Sequence, residues 1–409
     1  MGAATPWPQR VRADRAREVH PMERFDAMEP FEANGRDVLV VGAGLAGLAC
    51  ASALAERGGR GLVLDKGRGP GGRLSTRRRT DAEGRALAFD HGAQYFTVRD
   101  AAFARQVERW CARGVAAPWP ARVITLAAGV AGEPRGSGGA GGPVGAGGSD
   151  GATERFVGTP AMQSLAVDLA DELQRGGRFR LVQSARVEAL RATANGVVAH
   201  LAGDLGGDLG DDRAVGPFLR VCVALPAPQA RDLVATLGAD AAPLVATAEG
   251  VAMEPSLAAL VRFAERPRTS DGAAFDGAFV ESDALSWVAR DASKPGRPDA
   301  ECWVLHATPR FARASWDDDP ARWSDALVEA FGAALGRPAP AVTWRDTHRW
   351  GFALAPAPLE PGSGAPPLVA SVGPATVALA GDWCCGSRVE GAWLGGRAAA
   401  DRLAGGVSG

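Results

Sequence analysis

Short runs with no polar position punctuate this chain. Longer stretches between them repeat apolar residues at three- and four-residue spacing. Val38-Leu39-Val40-Val41 and Gly61-Leu62-Val63-Leu64 are runs of the first kind, the pattern of strands covered on both faces of a parallel sheet. The Ala- and Leu-rich stretch from Leu48 to Arg57 between them predicts a helix ended by Gly58-Gly59. Together they make a strand–turn–helix–strand unit of about thirty residues. A second helix is predicted over Ala102–Arg113, where Phe103, Val107 and Trp110 share a face. A third should start at Thr159-Pro160, with Thr159 as N-cap and Pro160 in the first helical position, and run through Met162, Leu165, Leu169 and Leu173. Helices are also expected over Arg322–Leu335 and from about Gly391 to Leu403. Strands are expected at Phe179–Val182, Val187–Leu190, Leu219–Leu225, Ala258–Phe263, Ser286–Ala289, Trp303–His306 and Val377–Ala380.

This order divides the chain. At 409 residues it is long enough for two domains. Residues 37–100, 153–244 and 346–409 are expected to form one discontinuous domain around a parallel sheet. Residues 101–127 and 245–345, richer in strands, are expected to form the second. The Gly-rich stretch 128–152 reads as a surface insertion too poor in side chains to pack, and residues 1–36 as a disordered N-terminal extension. A net charge of −2 gives no basic footprint for nucleic acid or a membrane surface. No apolar run reaches the length of a membrane span. Six scattered cysteines without a CxxC pair fit a reducing cytoplasm. Only two of the 45 basic residues are lysines, Lys66 and Lys294, and Tyr95 is the one tyrosine.

Three motifs carry chemistry. Gly42-Ala43-Gly44-Leu45-Ala46-Gly47 joins the first strand to the first helix. Gly42 permits the tight turn, Gly44 lets a pyrophosphate approach the backbone, and Gly47 lets the helix pack on the strand. The helix N-terminus offers unpaired N–H groups to an anion. Asp65, at the end of the second strand, can accept both ribose hydroxyls of an adenosine, with Lys66 beside it. The pattern points to a dinucleotide without separating NAD from FAD. Arg68-Gly-Pro-Gly71-Gly72-Arg73-Leu74 follows, a loop suited to passing phosphates with Arg73 as charge partner. Near the other end, Gly381-Asp382 closes a strand and Glu390-Gly391-Ala392 opens a helix. Asp382 can bind a ribityl hydroxyl, and the helix N-terminus can face a ring that gains negative charge.

Taken together these motifs resemble the flavoprotein amine-oxidase superfamily, and within it the bacterial renalase-like FAD-dependent oxidases. The resemblance runs in order from about residue 38 to 403. It rests further on Asp90-His91-Gly92-Ala93-Gln94-Tyr95-Phe96-Thr97, Leu225-Pro-Ala-Pro-Gln229, Ser286-Trp287-Val-Ala-Arg290-Asp-Ala-Ser-Lys294-Pro-Gly-Arg297, Trp303-Val-Leu-His306, His348-Arg349-Trp350 and Gly381-Asp382-Trp383-Cys384. Asp65 stands where many relatives carry Glu. The resemblance implies an α/β, two-domain fold: a GR2-type FAD-binding Rossmann-like domain with a mixed-sheet substrate domain over the flavin. It also implies FAD held non-covalently, because no cysteine lies near Trp350, and Val187 among the FAD-binding residues. Gly92-Ala93-Gln94 would pass under the flavin ring, small where backbone meets ring.

The activity implied is an FAD-dependent oxidase. Renalase-like relatives pass a hydride from 2- or 6-dihydro isomers of NAD(P)H to flavin N5 and return the electrons to molecular oxygen as hydrogen peroxide. The expected partners are therefore a small-molecule substrate, a nicotinamide dinucleotide, and oxygen. Such a substrate needs no strong catalytic base, and no nucleophile–base pair or metal-spaced cluster stands out. Tyr95, His306 and Trp350 are the candidate catalytic residues around flavin N5, Tyr95 as part of the substrate wall. Lys294 is similar to the lysine that holds a water at flavin N5 in many amine oxidases, although Ser-Lys-Pro-Gly-Arg also suits a structural turn. Cys384-Cys385 is a weaker redox candidate. The alternatives are an oxidase or desaturase of an amine or apolar substrate, and a non-catalytic binding protein on the same fold.

Overall fold

A computed structural model describes residues 37–127, 130–132, 154–202, 213–359 and 368–405. The expected extension over 1–36 lies outside them. Of the 128–152 stretch, Val130–Gly132 is described. It is not an unpacked loop but a short strand paired antiparallel with Val123–Ala127.

A six-stranded sheet forms the first layer, in the order Val369–Val372, Ala375–Leu379, Arg220–Val223, Val38–Val41, Gly61–Leu64, Phe179–Val182. Every neighbouring pair is parallel except the first, which is antiparallel. The unbroken apolar runs are explained by burial on both faces. Val38 and Val40 pack with the helices Leu45–Glu56, Ser164–Arg175 and Val389–Gly405. Leu39 and Val41 face the opposite way, against a three-stranded sheet of 187–193, 196–201 and 213–218 and the helices Ala227–Ala235 and Ala242–Glu249. The helix expected from Thr159-Pro160 begins at Ser164 instead. The N–H groups ahead of it are engaged elsewhere, Ala161 with Ser164 Oγ and Met162 with Asp90 Oδ1.

The second layer is a seven-stranded mixed sheet in the order Val342–Leu354, Glu254–Phe263, Cys302–Ala307, Leu285–Arg290, Gly277–Val280, Val123–Ala127, Val130–Gly132. One face packs on the helix Pro320–Leu335 through Trp303, Leu305, Leu327 and Phe331. Two expected assignments change. Residues 346–354, placed by sequence with the dinucleotide domain, continue the edge strand of this sheet, because Glu254–Phe263 pairs with them along its length. The helix Ala101–Ala112, placed with the substrate domain, sets Phe103 against Trp393 and Phe96 in the core of the dinucleotide domain. A hairpin, Thr76–Thr80 with Ala86–Asp90, leads from the first sheet to the second. Among the described residues no helix is long and apolar enough to cross a membrane.

Candidate active site

Between the two sheets lies a cavity of about 1680 Å³, larger than an ordinary small-molecule pocket of about 300–1,000 Å³. One end is built by the first glycine motif. Gly42 has φ +105°, and a Cβ there would stand 2.6 Å from Ala224 O. A Cβ on Gly47 would stand 1.9 Å from Gly42 O, so helix and turn touch only because Gly47 has no side chain. Gly44 differs: a Cβ there would meet nothing within 4 Å, and across the gap Gly72 meets only Gly44 Cα at 3.8 Å. The two glycines flank an open slot on the cavity. The helix beginning at Leu45 has no side-chain cap and no acidic residue in its first turn, so its leading N–H groups remain for an anion. The slot and bare helix end fit the pyrophosphate of a dinucleotide.

Of the residues expected to hold FAD, Gly42, Gly44, Leu45, Ala46, Asp65, Lys66, Gly72, Arg73, Leu74, Gly92, Ala93, Gln94, Val187, Gly381, Asp382 and Ala392 line the cavity. Ala43, Gly47, Glu390 and Gly391 stand behind its wall. Ala43 N–H donates to Asp65 Oδ2 at 2.6 Å, and Gly67 N–H to Oδ1 at 2.6 Å, so Asp65 also locks the glycine turn to the second strand. Glu390 accepts from the N–H groups of Arg99 and Asp100 at 2.7 and 2.8 Å, tying the last helix to the loop before the second. A Cβ on Gly391 would stand 1.8 Å from Gly386 O.

One expected role is corrected. Arg73 is not left as a free phosphate partner. Its guanidinium makes a two-pronged pair with Asp382 at 2.7 and 2.8 Å and donates to Ala353 O, joining the second and third motifs. Gly92 is small for a protein reason as well: a Cβ there would lie 2.1 Å from Arg73 O and 3.3 Å from Trp350 Cζ2.

The other end of the cavity is imidazole and indole. Tyr95, His306 and Trp350 all line it, with His91, His348, Ser286 and Trp287. Tyr95 sits 5.5 Å from Trp287 and 5.9 Å from Trp119, ring to ring, and burial raises its hydroxyl pKa against the opposing pull of Arg155. His306 Nε2 and Trp350 Nε1 meet the same acceptor, His91 O, at 3.0 and 2.8 Å. His91 stacks on Trp350 at 5.3 Å and meets His348 edge-on at 4.6 Å. Burial pushes His91 down to about 3, helped by His348 and Arg77. It pushes His306 and His348 each to about 4, Arg77 adding to the effect on His348. All three are neutral imidazoles at physiological pH.

Sequence reasoning singled out His306 and Trp350 here but not His348, Trp287 or Arg77. Alternation offered one signal: residues 348 and 350 of an extended strand share a face.

Lys294 does not reach the cavity. It is 2% exposed, and its ammonium contacts Asp291 Oδ1 at 2.5 Å, Asp90 Oδ2 at 3.1 Å and Gln94 Oε1 at 3.2 Å. Arg297 closes on Asp90 Oδ2 at 2.5 Å, and Thr76 Oγ donates to Asp90 Oδ1 at 2.5 Å. Burial alone would raise both carboxyls. Arg297 and Lys294 outweigh it at Asp90, which is held below the usual range, whereas Asp291 is pushed up to about 6. Of the two readings of Lys294, this knot fits the structural turn and leaves no ammonium for flavin N5. Cys384 and Cys385 are free thiols outside the cavity lining, and burial raises the pKa of each, which opposes thiolate chemistry.

A dinucleotide-binding parallel sheet, a mixed sheet facing it and a long cavity between them define a two-domain flavoprotein oxidoreductase. Comparisons with known proteins agree. Residues 40–112 match the NAD(P)-binding Rossmann-like domain, and residues 138–404 match the flavin containing amine oxidoreductase family. The second match covers more than half of the chain, which therefore belongs to that family, with FAD as its cofactor. Similar solved structures include a putrescine oxidase bound to putrescine (14% identity, TM-score 0.60) and the cyclohexylamine oxidase of Brevibacterium oxydans IH-35A (15%, 0.62). A third is a protein described as a putative protoporphyrinogen oxidase from Exiguobacterium sp. 255-15 (13%, 0.63). Each alignment covers 91% of this chain and 99% of the other. At such identities the likeness establishes the shared fold.

Proposed function

We propose that this protein is a renalase-like oxidase that converts 2- and 6-dihydro isomers of NAD(P)H, with a proton and molecular oxygen, to NAD(P)+ and hydrogen peroxide. The observation that carries this reading is the charge of the cavity wall. Nine basic residues line it against four acidic ones, in a chain whose net charge is −2. The four acids are not placed to receive a cation at the histidine end. Asp65 is bonded to two backbone N–H groups, Asp382 is paired with Arg73, and Glu188 and Asp232 are exposed on the rim. Arg77 and Arg79 share a single carboxylate, Asp346, at 3.0 Å each. A protonated amine would find repulsion and no partner, whereas an anionic dinucleotide is attracted.

Non-covalent FAD, when bound, supplies the two-electron acceptor that oxygen restores. The protein's own contribution is positional. Gly44 and Gly72 leave room for the cofactor's phosphates, and the knot of Lys294, Asp90, Asp291 and Arg297 fixes the Gly92–Gln94 turn. Trp350, Trp287 and Tyr95 exclude water from the reacting end. The neutral histidines add no cation and no strong base, as suits a dihydropyridine that expels hydride unaided. The test is steady-state peroxide release with three substrate classes: the dihydro isomers, ordinary NAD(P)H, and putrescine or cyclohexylamine. Turnover confined to the isomers is expected. Turnover of the amines alone would replace this reading with that of an amine oxidase.

A further inference from the structure

Two of the neutral histidines have their tautomers fixed by partners that can act in only one sense. His306 Nε2 lies 3.0 Å from His91 O. A carbonyl only accepts, so Nε2 carries the proton and Nδ1 is a bare acceptor. His348 Nδ1 lies 3.0 Å from the Arg77 guanidinium. A guanidinium only donates, so Nδ1 is the bare nitrogen and Nε2 carries the proton. The remaining nitrogen of each ring has no hydrogen-bond partner among the described residues, and neither is a sealed buried atom. Both residues line the cavity.

The sheet sets them in one row. Ala258 is the cross-strand partner of His306 on one side and of His348 on the other. Directly paired residues share a face, so the two imidazoles rise from the same side of the sheet about 10 Å apart at Cα, two strand spacings. Ala258 separates them along the sheet, and His91 touches both, its carbonyl at His306 Nε2 and its ring edge-on to His348 at 4.6 Å. Trp350, two residues along from His348, packs against His348 at 4.3 Å and against His91, adding an aromatic face.

We infer that His306 Nδ1 and His348 Nε2–H form an acceptor–donor pair that recognises the primary carboxamide of a nicotinamide ring. The amide NH2 donates to His306, and the amide oxygen accepts from His348. This inference rests on the proposed nicotinamide substrate and names what selects it. A carboxylate in place of the carboxamide cannot donate to His306 Nδ1 and sets a negative charge against its lone pair. The depressed pKa of each histidine keeps the two complementary rather than both cationic donors.

The test is binding of NAD+ and of nicotinic acid adenine dinucleotide to the FAD-loaded protein, by calorimetry and by perturbation of the flavin band. The wild type is expected to prefer NAD+ by about threefold to tenfold, the range of one hydrogen bond. His306→Leu should abolish the preference. His306→Gln should keep it, because its amide nitrogen can donate to His91 O while its oxygen replaces Nδ1 as acceptor. His348→Leu should weaken NAD+ binding by a similar factor and serves if His306→Leu does not retain FAD. Equal wild-type affinity for the two ligands, or a preference untouched in His306→Leu, overturns the inference and leaves the substrate reading intact. Binding of neither ligand overturns both.

Discussion

Two buried polar groups lie on opposite sides of the Asp90–Tyr95 segment and are handled in opposite ways. Behind it, Asp90, Asp291, Lys294 and Arg297 are all charged groups taken out of water and paired with one another. In front of it, His91, His306 and His348 face the cavity and are kept neutral. Full charge in a dry interior is stable only when each group has a partner, and pairing fixes geometry tightly. A ligand wall needs nitrogens left open, and open nitrogens in a dry place must be uncharged. The contrast shows why one of the chain's two lysines sits where it does. A compact ammonium reaches Asp291, Asp90 and Gln94 together, which a planar guanidinium would not.

Breaking the charged side should produce the largest effect. Lys294→Met leaves two buried carboxylates facing each other, and urea unfolding should show a loss of about 3–5 kcal/mol. The Gly92–Gln94 turn should loosen with it, seen as weaker FAD retention.

Acid separates the two sides next. The histidines have folded pKa values of about 3 to 4 against 6.5 when unperturbed. The unfolded chain therefore takes up their protons first, so their contribution is intact above about pH 6.5 and is lost as pH falls toward 4. Asp291 has the opposite sign: raised to about 6, it binds a proton in the folded state before the unfolded one does. Three groups outweigh one, so the melting temperature should fall between pH 6.5 and 4, the exposed part of His348 adding least. Below that range Asp90, whose folded pKa is depressed, deepens the loss.

Asp291→Asn should cost less than Lys294→Met, about 1–2 kcal/mol by the same unfolding measurement, because it removes the less settled of the two carboxylates. It should also remove the opposing acid contribution, so the fall in melting temperature below pH 6.5 becomes steeper than in the wild type. The smallest effect is expected on the neutral side. Trp350→Phe keeps the ring against His91 but loses the N–H bond to His91 O. Since His306 still donates to that oxygen, the cost should be about 1 kcal/mol or less.

What could be read in the sequence follows the same division. The glycine turn, Asp65, the Gly-Gly-Arg loop and the Gly-Asp segment are contiguous motifs whose spacing encodes local backbone geometry, and they carried the dinucleotide fold and most of the cavity lining. Of the histidine wall only His306 was singled out. His91, His306 and His348 are far apart in the chain, and only the cross-strand register through Ala258 and the hairpin before Asp90 bring them together. Arg73 was assigned to the cofactor, and Lys294 was weighed between flavin N5 and a structural turn, because sequence shows a charge but not its partner. Asp382 and Asp90 each claim one of them from more than two hundred residues away.

The most direct measurement is anaerobic mixing of the FAD-loaded protein with a 2-/6-dihydro-NAD(P) preparation and, separately, with putrescine and cyclohexylamine, following the flavin absorption band. An anion-selecting cavity predicts rapid bleaching by the dihydro isomers, reversed by air with peroxide release, and no bleaching by the amines. Bleaching by the amines while the isomers leave the band unchanged would contradict it.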